Sequence, residues 1–414
     1  MSSKRGLGER SIVLLVVLTV VLVLAPDAGA QSKYKILHGF AGGQDGGYPE
    51  ASLILDRAAN LYGTTNGGTG SGDYGTVLKL TPNSDGSRTE TVLYNFTGGN
   101  DGAQPAAGLI FDQAGNLYGT ASQGGLYSNG VVYQLTPSKT GYTESVLYSF
   151  AGGHDGATPL CTLIFDSSGN LYGTTNSSGA YGYGTVFELT PHSDGKWTIK
   201  TLYDFVGGEA GGSPDSGLVL DTQGNLYGIT TQGGDDNVGV VYRLKPSNFF
   251  WTISVLHSFT GGNDGGRPQR GSLIFDNSGN LYGTTLSGGH YQYGTVFKLT
   301  PTAAKWKETV LHNFANRDGA FPSGTLVFSP EGDIYGTTQA GGDLTCQRNN
   351  GCGVVFKLSL NSNGEWHESV LHRFLDLPGA GPVAGVIFDA TGNLYGTTSS
   401  FSQDFFGAVF EIRH

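Results

Sequence analysis

The sequence predicts an all-β chain, a seven-bladed β-propeller with four antiparallel strands per blade. Three observations carry that expectation: a repeat of about 55 residues, four short apolar blocks inside each repeat, and chain ends that complete one another.

The repeat is seen in the motif GNLYGTT, complete at residues 169–175. Its Asn recurs at Asn60, Asn116, Asn170, Asn225, Asn280 and Asn393, with Asp333 in the same place in DIYGTT, at spacings of 56, 54, 55, 55, 53 and 60. A fixed period of this size marks an architecture in which one supersecondary unit stacks on copies of itself. Seven such periods fill residues 31–414 and leave no room for a second domain.

Inside the second copy the apolar blocks are GLIFD (108–112), NLYGT (116–120), GVVYQL (130–135) and ESVLYSF (144–150). Their length and their aromatic and β-branched content indicate strands, and the Gly, Asn, Asp and Pro between them indicate turns. Four strands per unit is the blade of a propeller. The array opens with a lone block of the fourth type, YKILHGF (34–40), and closes with blocks of the first three types at residues 385–412. If the first block is innermost, residues 35–40 form the outer strand of the last blade, so the N-terminal strand closes the ring and covers an open edge. Within GNLYGTT, Asn and Gly suit the turn, Leu and Tyr are expected to pack against neighbouring blades, and the inner Gly is expected where backbones approach closely.

Residues 1–30 stand apart. Lys4, Arg5 and Arg10 precede an apolar run over residues 12–25, and Ala28-Gly29-Ala30 follows, which reads as a secretory signal cleaved after Ala30. The run is shorter than the roughly 20 residues of a spanning helix, and no membrane span is expected after cleavage. The expected location is secreted or periplasmic. A net charge of -11 lacks the basic footprint that nucleic acid requires. The 69 glycines accompany a 38% hydrophobic fraction arranged in regular blocks, which fits many short strands and tight turns better than disorder.

With the blocks FxGGxDGxxP, GLIFDxxGNLYGTT and GTVFKLTP in order, the chain resembles the exported tandem-repeat proteins of the choice-of-anchor GloVer type, over about residues 34–413. It is more loosely similar to NHL-type and gluconolactonase-like propellers. The resemblance implies export and a propeller-like ring, and it brings no assigned activity. The variable surface anchors of that family have no counterpart in the closing FEIRH, so a soluble, monomeric exported form is expected.

A residue present in every blade serves the blade, so function is expected where the symmetry breaks or loops converge. Asp45, Asp101, Asp155, Asp264 and Asp318, each followed by Gly, could form a ring of calcium ligands or separate turns in which each Asp bonds its own backbone; the turn reading is preferred, with Ala210 and Pro378 in the other two blades. No cofactor is expected. The Asp closing each first block (Asp56, Asp112, Asp166, Asp221, Asp276, Asp389, with Ser329 the exception) belongs to the D-x-x-G-N turn. His38, His257, His312 and His372 share a slot with Tyr94, Tyr148 and Tyr203 on the outermost strand, where they cannot converge on one ion. Trp197, Trp251, Trp306 and Trp366 begin the fourth strand in four blades and are expected to pack locally. No nucleophile elbow, H-E-x-x-H pair or P-loop occurs.

The loops between second and third strands are the most individual segments. Their Tyr127, Tyr181, Tyr183, Tyr291 and Tyr293, with Asp235 and Asp236, offer flat aromatic faces and adaptable hydrogen bonds, and are the candidate contacts for a glycan or protein partner. The longer sixth-blade loop carries Cys346 and Cys352, expected to form a disulfide in an exported chain; zinc would need two more ligands that the loop does not offer. Cys161 is expected to be a buried free thiol. Three functions therefore stay open: a non-catalytic binding propeller, a lyase or hydrolase with acidic groups at the channel mouth, and a structural protein of the cell envelope.

Overall fold

The computed structural model describes residues 33–67, 72–346, 350–375, 379–399 and 406–413. The expected signal segment and Pro378 lie outside them, as do parts of the loops at 66–74, 341–352 and 399–406.

Seven four-stranded antiparallel sheets follow one another along the chain. The first blade runs through Ile54–Leu55, Leu61–Thr65, Thr76–Pro82 and Arg88–Asn95, paired in that order. The first strands of all seven blades line one central cavity, which makes them innermost. The seventh blade is Ile387–Phe388, Leu394–Thr398 and Ala408–Arg413, and its fourth strand is Lys33–Gly39 from the other end of the chain. Tyr34 pairs with Ile412 and Gly39 with Ala408, so the N-terminal strand closes the ring as the sequence predicts.

Each residue of GNLYGTT has its own duty. The second strand is buried throughout, which is why it shows no polar alternation: neighbouring blades cover both of its faces. Asp56 Oδ1 accepts the backbone N–H groups of Ala58 and Asn60, and its Oδ2 accepts Asn60 Nδ2 and the Tyr62 hydroxyl. The same four bonds surround Asp112, Asp166, Asp221, Asp276 and Asp389. In the sixth blade Ser329 stands there instead, and Asp333 pairs with Lys357 at 2.6 Å.

The inner glycine corrects the sequence expectation. A Cβ on Gly173 would lie 2.6 Å from Phe187 Cζ and 2.8 Å from Cys161 Sγ, and Gly173 is the register partner of Phe187. The close neighbour is thus an aromatic side chain laid over the glycine from the third strand, and not another backbone. Tyr133, Tyr242, Phe297, Phe356 and Phe410 cover Gly119, Gly228, Gly283, Gly336 and Gly396 in the same way.

The first Thr stitches blades together. Thr64, Thr120, Thr174, Thr337 and Thr397 donate to backbone carbonyls of Ala107, Cys161, Ser216, Ala384 and Ala51 in the following blade. The second Thr pairs with a third-strand hydroxyl, as Thr175 does with Thr185 at 2.9 Å. Between blades the core is a run of edge-to-face aromatic pairs such as Phe150 with Phe187 and Phe314 with Phe356, at centroid distances of 5.2 and 5.1 Å, a preferred geometry for rings.

Candidate functional site at the channel mouth

The repeated polar residues settle into their own turns. Asp101 accepts the Thr97 backbone N–H at 2.7 Å, Asp155 that of Ala151 at 2.7 Å and Asp264 that of Thr260 at 3.0 Å. The polar tip of the outer-strand slot points at the same carboxylates: the Tyr94 and Tyr148 hydroxyls donate to Asp101 and Asp155, and His38, His257 and His312 place Nε2 3.1–3.2 Å from Asp45, Asp264 and Asp318. None of these aspartates lines the central channel. His372 differs, stacking on Tyr34 at 3.9 Å, with its imidazole pushed down to about 4 by burial. Trp197 and Trp306 pack on Tyr118 and Tyr227 of the preceding blade. Arg88 takes that place over Tyr395.

The loop tyrosines fall into two groups. Tyr183 lies against Gly207 and Gly212 of the next connection, and Tyr293 sits 6.1 Å from Phe321. Tyr127, Tyr181 and Tyr291 are 54%, 61% and 52% exposed. Their loops are pinned outward, because Leu126, Ala180 and His290 donate backbone N–H groups to Ser149, Asp204 and Asn313 at the ends of fourth strands. Asp235 is held the same way by Ser258, and both it and Asp236 are exposed. These side chains stand on separate blades above the outer strands and are not brought into one pocket.

What does converge is the ring of first strands. They enclose a cavity of about 490 Å³ with apolar walls from Ile54, Ile110, Ile164, Val219, Ile274, Val327 and Ile387. At its mouth, on the face of the individual loops, the position after the recurring Pro of each repeat carries Ala106, Leu160, Ser323 or Val383 in four blades. It carries Glu50 in the first, Asp215 in the fourth and the Gln269-Arg270 pair in the fifth. All three charged residues line the cavity.

Arg270 is an inserted residue, since Pro268 to Asp276 is one residue longer than Pro49 to Asp56. The chain absorbs it in a tight turn in which Gly271 N–H donates to Gln269 O at 2.7 Å, with Arg270 at φ 61°. Such a positive φ is strained for a side chain of this size. In the fourth blade, which precedes the insertion, the stitching Thr is replaced by Ile229, which is buried.

The strained turn aims both the backbone and the side chain of Arg270 at acids. Its N–H donates to Asp215 Oδ1 at 3.2 Å, and its guanidinium lies 3.2 Å from Glu50 Oε2, which also accepts from Asn66 at 3.4 Å. Burial pushes the Asp215 carboxyl up to about 6, against the opposing pull of the Arg270 N–H and charge. The mouth therefore offers a carboxylate, a guanidinium and a carboxyl that is part protonated near neutral pH, above an apolar well. A well-formed apolar cavity with a few convergent polar groups and a perturbed acid is the usual form of a ligand site. The signal in the sequence was the one slot that varies inside an otherwise repeated block.

Elsewhere the Cys346–Cys352 disulfide forms, with Cα atoms 5.6 Å apart, and Cys161 is a buried free thiol between blades. Among the described residues no helix is long and apolar enough to cross a membrane.

Residues 69–271 and 239–414 match the Gloeobacter/Verrucomicrobia repeat. No curated protein matches. Among solved structures, the extracellular domain of a one-component system from B. thetaiotaomicron aligns at 11% identity and TM-score 0.54 over 92% of this chain and 42% of that one. A 6-phosphogluconolactonase-type protein from Bacteroides uniformis aligns at 13% identity and TM-score 0.47 over 77% and 84%. These likenesses concern the fold alone.

Proposed function

Because the chain belongs to the Gloeobacter/Verrucomicrobia repeat family, whose repeat here builds the ring and leaves the mouth to individual residues, we propose that it is an exported, non-catalytic propeller that binds a glycan at the mouth of its central channel. The observation that carries this reading is the convergence of Glu50, Asp215 and Arg270, three departures from the repeat, on one cavity. Carboxylate and guanidinium groups side by side accept from and donate to neighbouring hydroxyls, and the apolar wall suits the C–H face of a sugar ring. The mouth holds two acids and one base, which disfavours phosphorylated ligands. Tyr127, Tyr181 and Tyr291 on the same face supply further contacts to a longer glycan or a protein partner. Export rests on the basic and apolar opening segment and fits the disulfide, which belongs to an oxidising compartment.

A second reading makes the site a hydrolase or lyase, and one observation favours it: an acid held up to about 6, as Asp215 is, is poised to donate a proton near neutral pH. One experiment addresses both. Thermal unfolding of the full chain with a panel of soluble polysaccharides gives a raised midpoint for any glycan that prefers the folded state, and the same mixtures are assayed for released sugar or new unsaturated ends. A shift without products supports binding. Products that vanish in D215N replace binding with catalysis, and no shift with any glycan defeats the reading.

A further inference from the structure

We propose that two blade boundaries, remote from the channel, carry sites for a divalent ion of the zinc type: His38, Asp45 and Glu90 at one, His312, Asp318 and Glu368 at the other. In each set the His comes from the fourth strand of one blade, the Asp from the connection that leaves it, and the Glu from the fourth strand of the next blade. One ligand atom from each residue lies within 4.8 Å of the other two. The His and Asp atoms are already 3.2 and 3.1 Å apart, close to the roughly 3.4 Å separation that bonds of about 2.1 Å require in a tetrahedral site.

A second feature points to a ligand. Glu90 Oε1 and Glu368 Oε1 are shut off from solvent and have no hydrogen-bond partner, as are Glu144 Oε1 and Glu308 Oε1 at two other boundaries; the two proposed sites differ in bringing an imidazole and both carboxylates within reach of one ion. A carboxylate oxygen buried in this way beside a second carboxylate is costly, and a cation shared by the two removes the cost. The aspartates are held in place from behind, since Asp45 and Asp318 accept backbone N–H groups of Ala41 and Ala315 at 2.6 and 2.7 Å. One imidazole with two carboxylates suits zinc, with water in the fourth position; calcium prefers six or more oxygens.

The other boundaries provide internal controls. Tyr94, Asp101 and Glu144 repeat the arrangement with a phenol in place of imidazole. His257, Asp264 and Glu308 repeat the residue types without drawing all three ligand atoms within that distance. The first site also lies at the ring's seam, because His38 belongs to the closing strand and Glu90 to the first blade. An ion there would clasp the closure.

The test is calorimetric titration of the chelator-stripped full chain with zinc chloride, with calcium chloride as comparison. Two zinc ions per chain and no calcium heat are expected. H38Y and H312Y should each remove one ion or weaken its site more than about tenfold, and E90Q should match H38Y. Tyrosine already fills this slot at Tyr94 and Tyr148, so the fold should tolerate the change, and melting of each variant in chelator verifies that. Zinc should raise the unfolding midpoint of the wild type and not that of the double variant. Absence of zinc heat, or a stoichiometry and midpoint shift unchanged in H38Y/H312Y, overturns the proposal.

Discussion

The Arg270 guanidinium of the fifth blade lies 3.2 Å from Glu50 Oε2 of the first, so an ion pair between blades that are not neighbours spans the mouth of the channel. Each partner is a departure from the repeat. Arg270 is 39% exposed and Glu50 18%, and a pair this open to water adds only about 0–1 kcal/mol to stability. R270Q should therefore leave the unfolding midpoint nearly unchanged while removing glycan binding. A large loss of stability in R270Q would assign the pair to the frame instead.

Asp215 sets a pH dependence. Its carboxyl is pushed up to about 6 by burial, against the pull of the Arg270 N–H and charge, and Arg270 in turn pairs with Glu50. A folded-state value above the usual 3.8 contributes stability below that value, and the contribution is lost as pH rises through about 6. Ligand affinity should change across the same midpoint. D215N should flatten both profiles between about pH 4 and 7, as measured by melting and titration at stepped pH.

The turn aspartates act in the opposite direction. Burial pulls Asp389 upward, but bonds from Asn393 and Thr391 outweigh it and hold the carboxyl down to about 2; Asp56, Asp166, Asp221 and Asp276 are lowered by the same kinds of bond. Their contribution is present above the usual 3.8 and lost as pH falls toward about 2. Acid unfolding should be steep in that window. D389A, which leaves the Asn393 and Tyr395 donors without this acceptor, should cost about 1–3 kcal/mol at neutral pH, read by chemical denaturation.

The inner glycine is a packing residue. G173A puts a methyl 2.6 Å from Phe187 Cζ and should destabilise by about 1–3 kcal/mol through overpacking. F187L in the same chain should recover part of that loss, because the ring is what the methyl meets. An additive double variant in denaturant melts would contradict the aromatic-cover account.

The blade was readable because its causes are local. The Asp56, Asn60 and Tyr62 network spans seven residues, and the sequence shows Asp, Asn and Tyr recurring together. Closure was readable because the lone block at 34–40 has no partner nearby. The glycine's neighbour was misjudged because Phe187 comes from the adjacent strand, and strand spacing alone does not say which side chain lies opposite. The channel mouth was among the expected places for acidic groups, but the residues that line it were missed for a related reason. Glu50, Asp215 and Arg270 sit in blocks whose other positions repeat faithfully, and only the ring geometry places residues so distant in sequence on one cavity. Glu90 was hidden likewise, as its partners come from the preceding blade.

The charged mouth, and not the rim, is the proposed place of the ligand. This is tested most directly by calorimetric titration of the polysaccharide giving the largest thermal shift into three proteins: wild type, E50Q/R270Q, and Y127A/Y181A/Y291A. Saturable binding by the wild type, loss in E50Q/R270Q, and at most a modest weakening in the tyrosine variant are expected. Binding that survives in E50Q/R270Q and disappears in the tyrosine variant would contradict this and move the site to the rim.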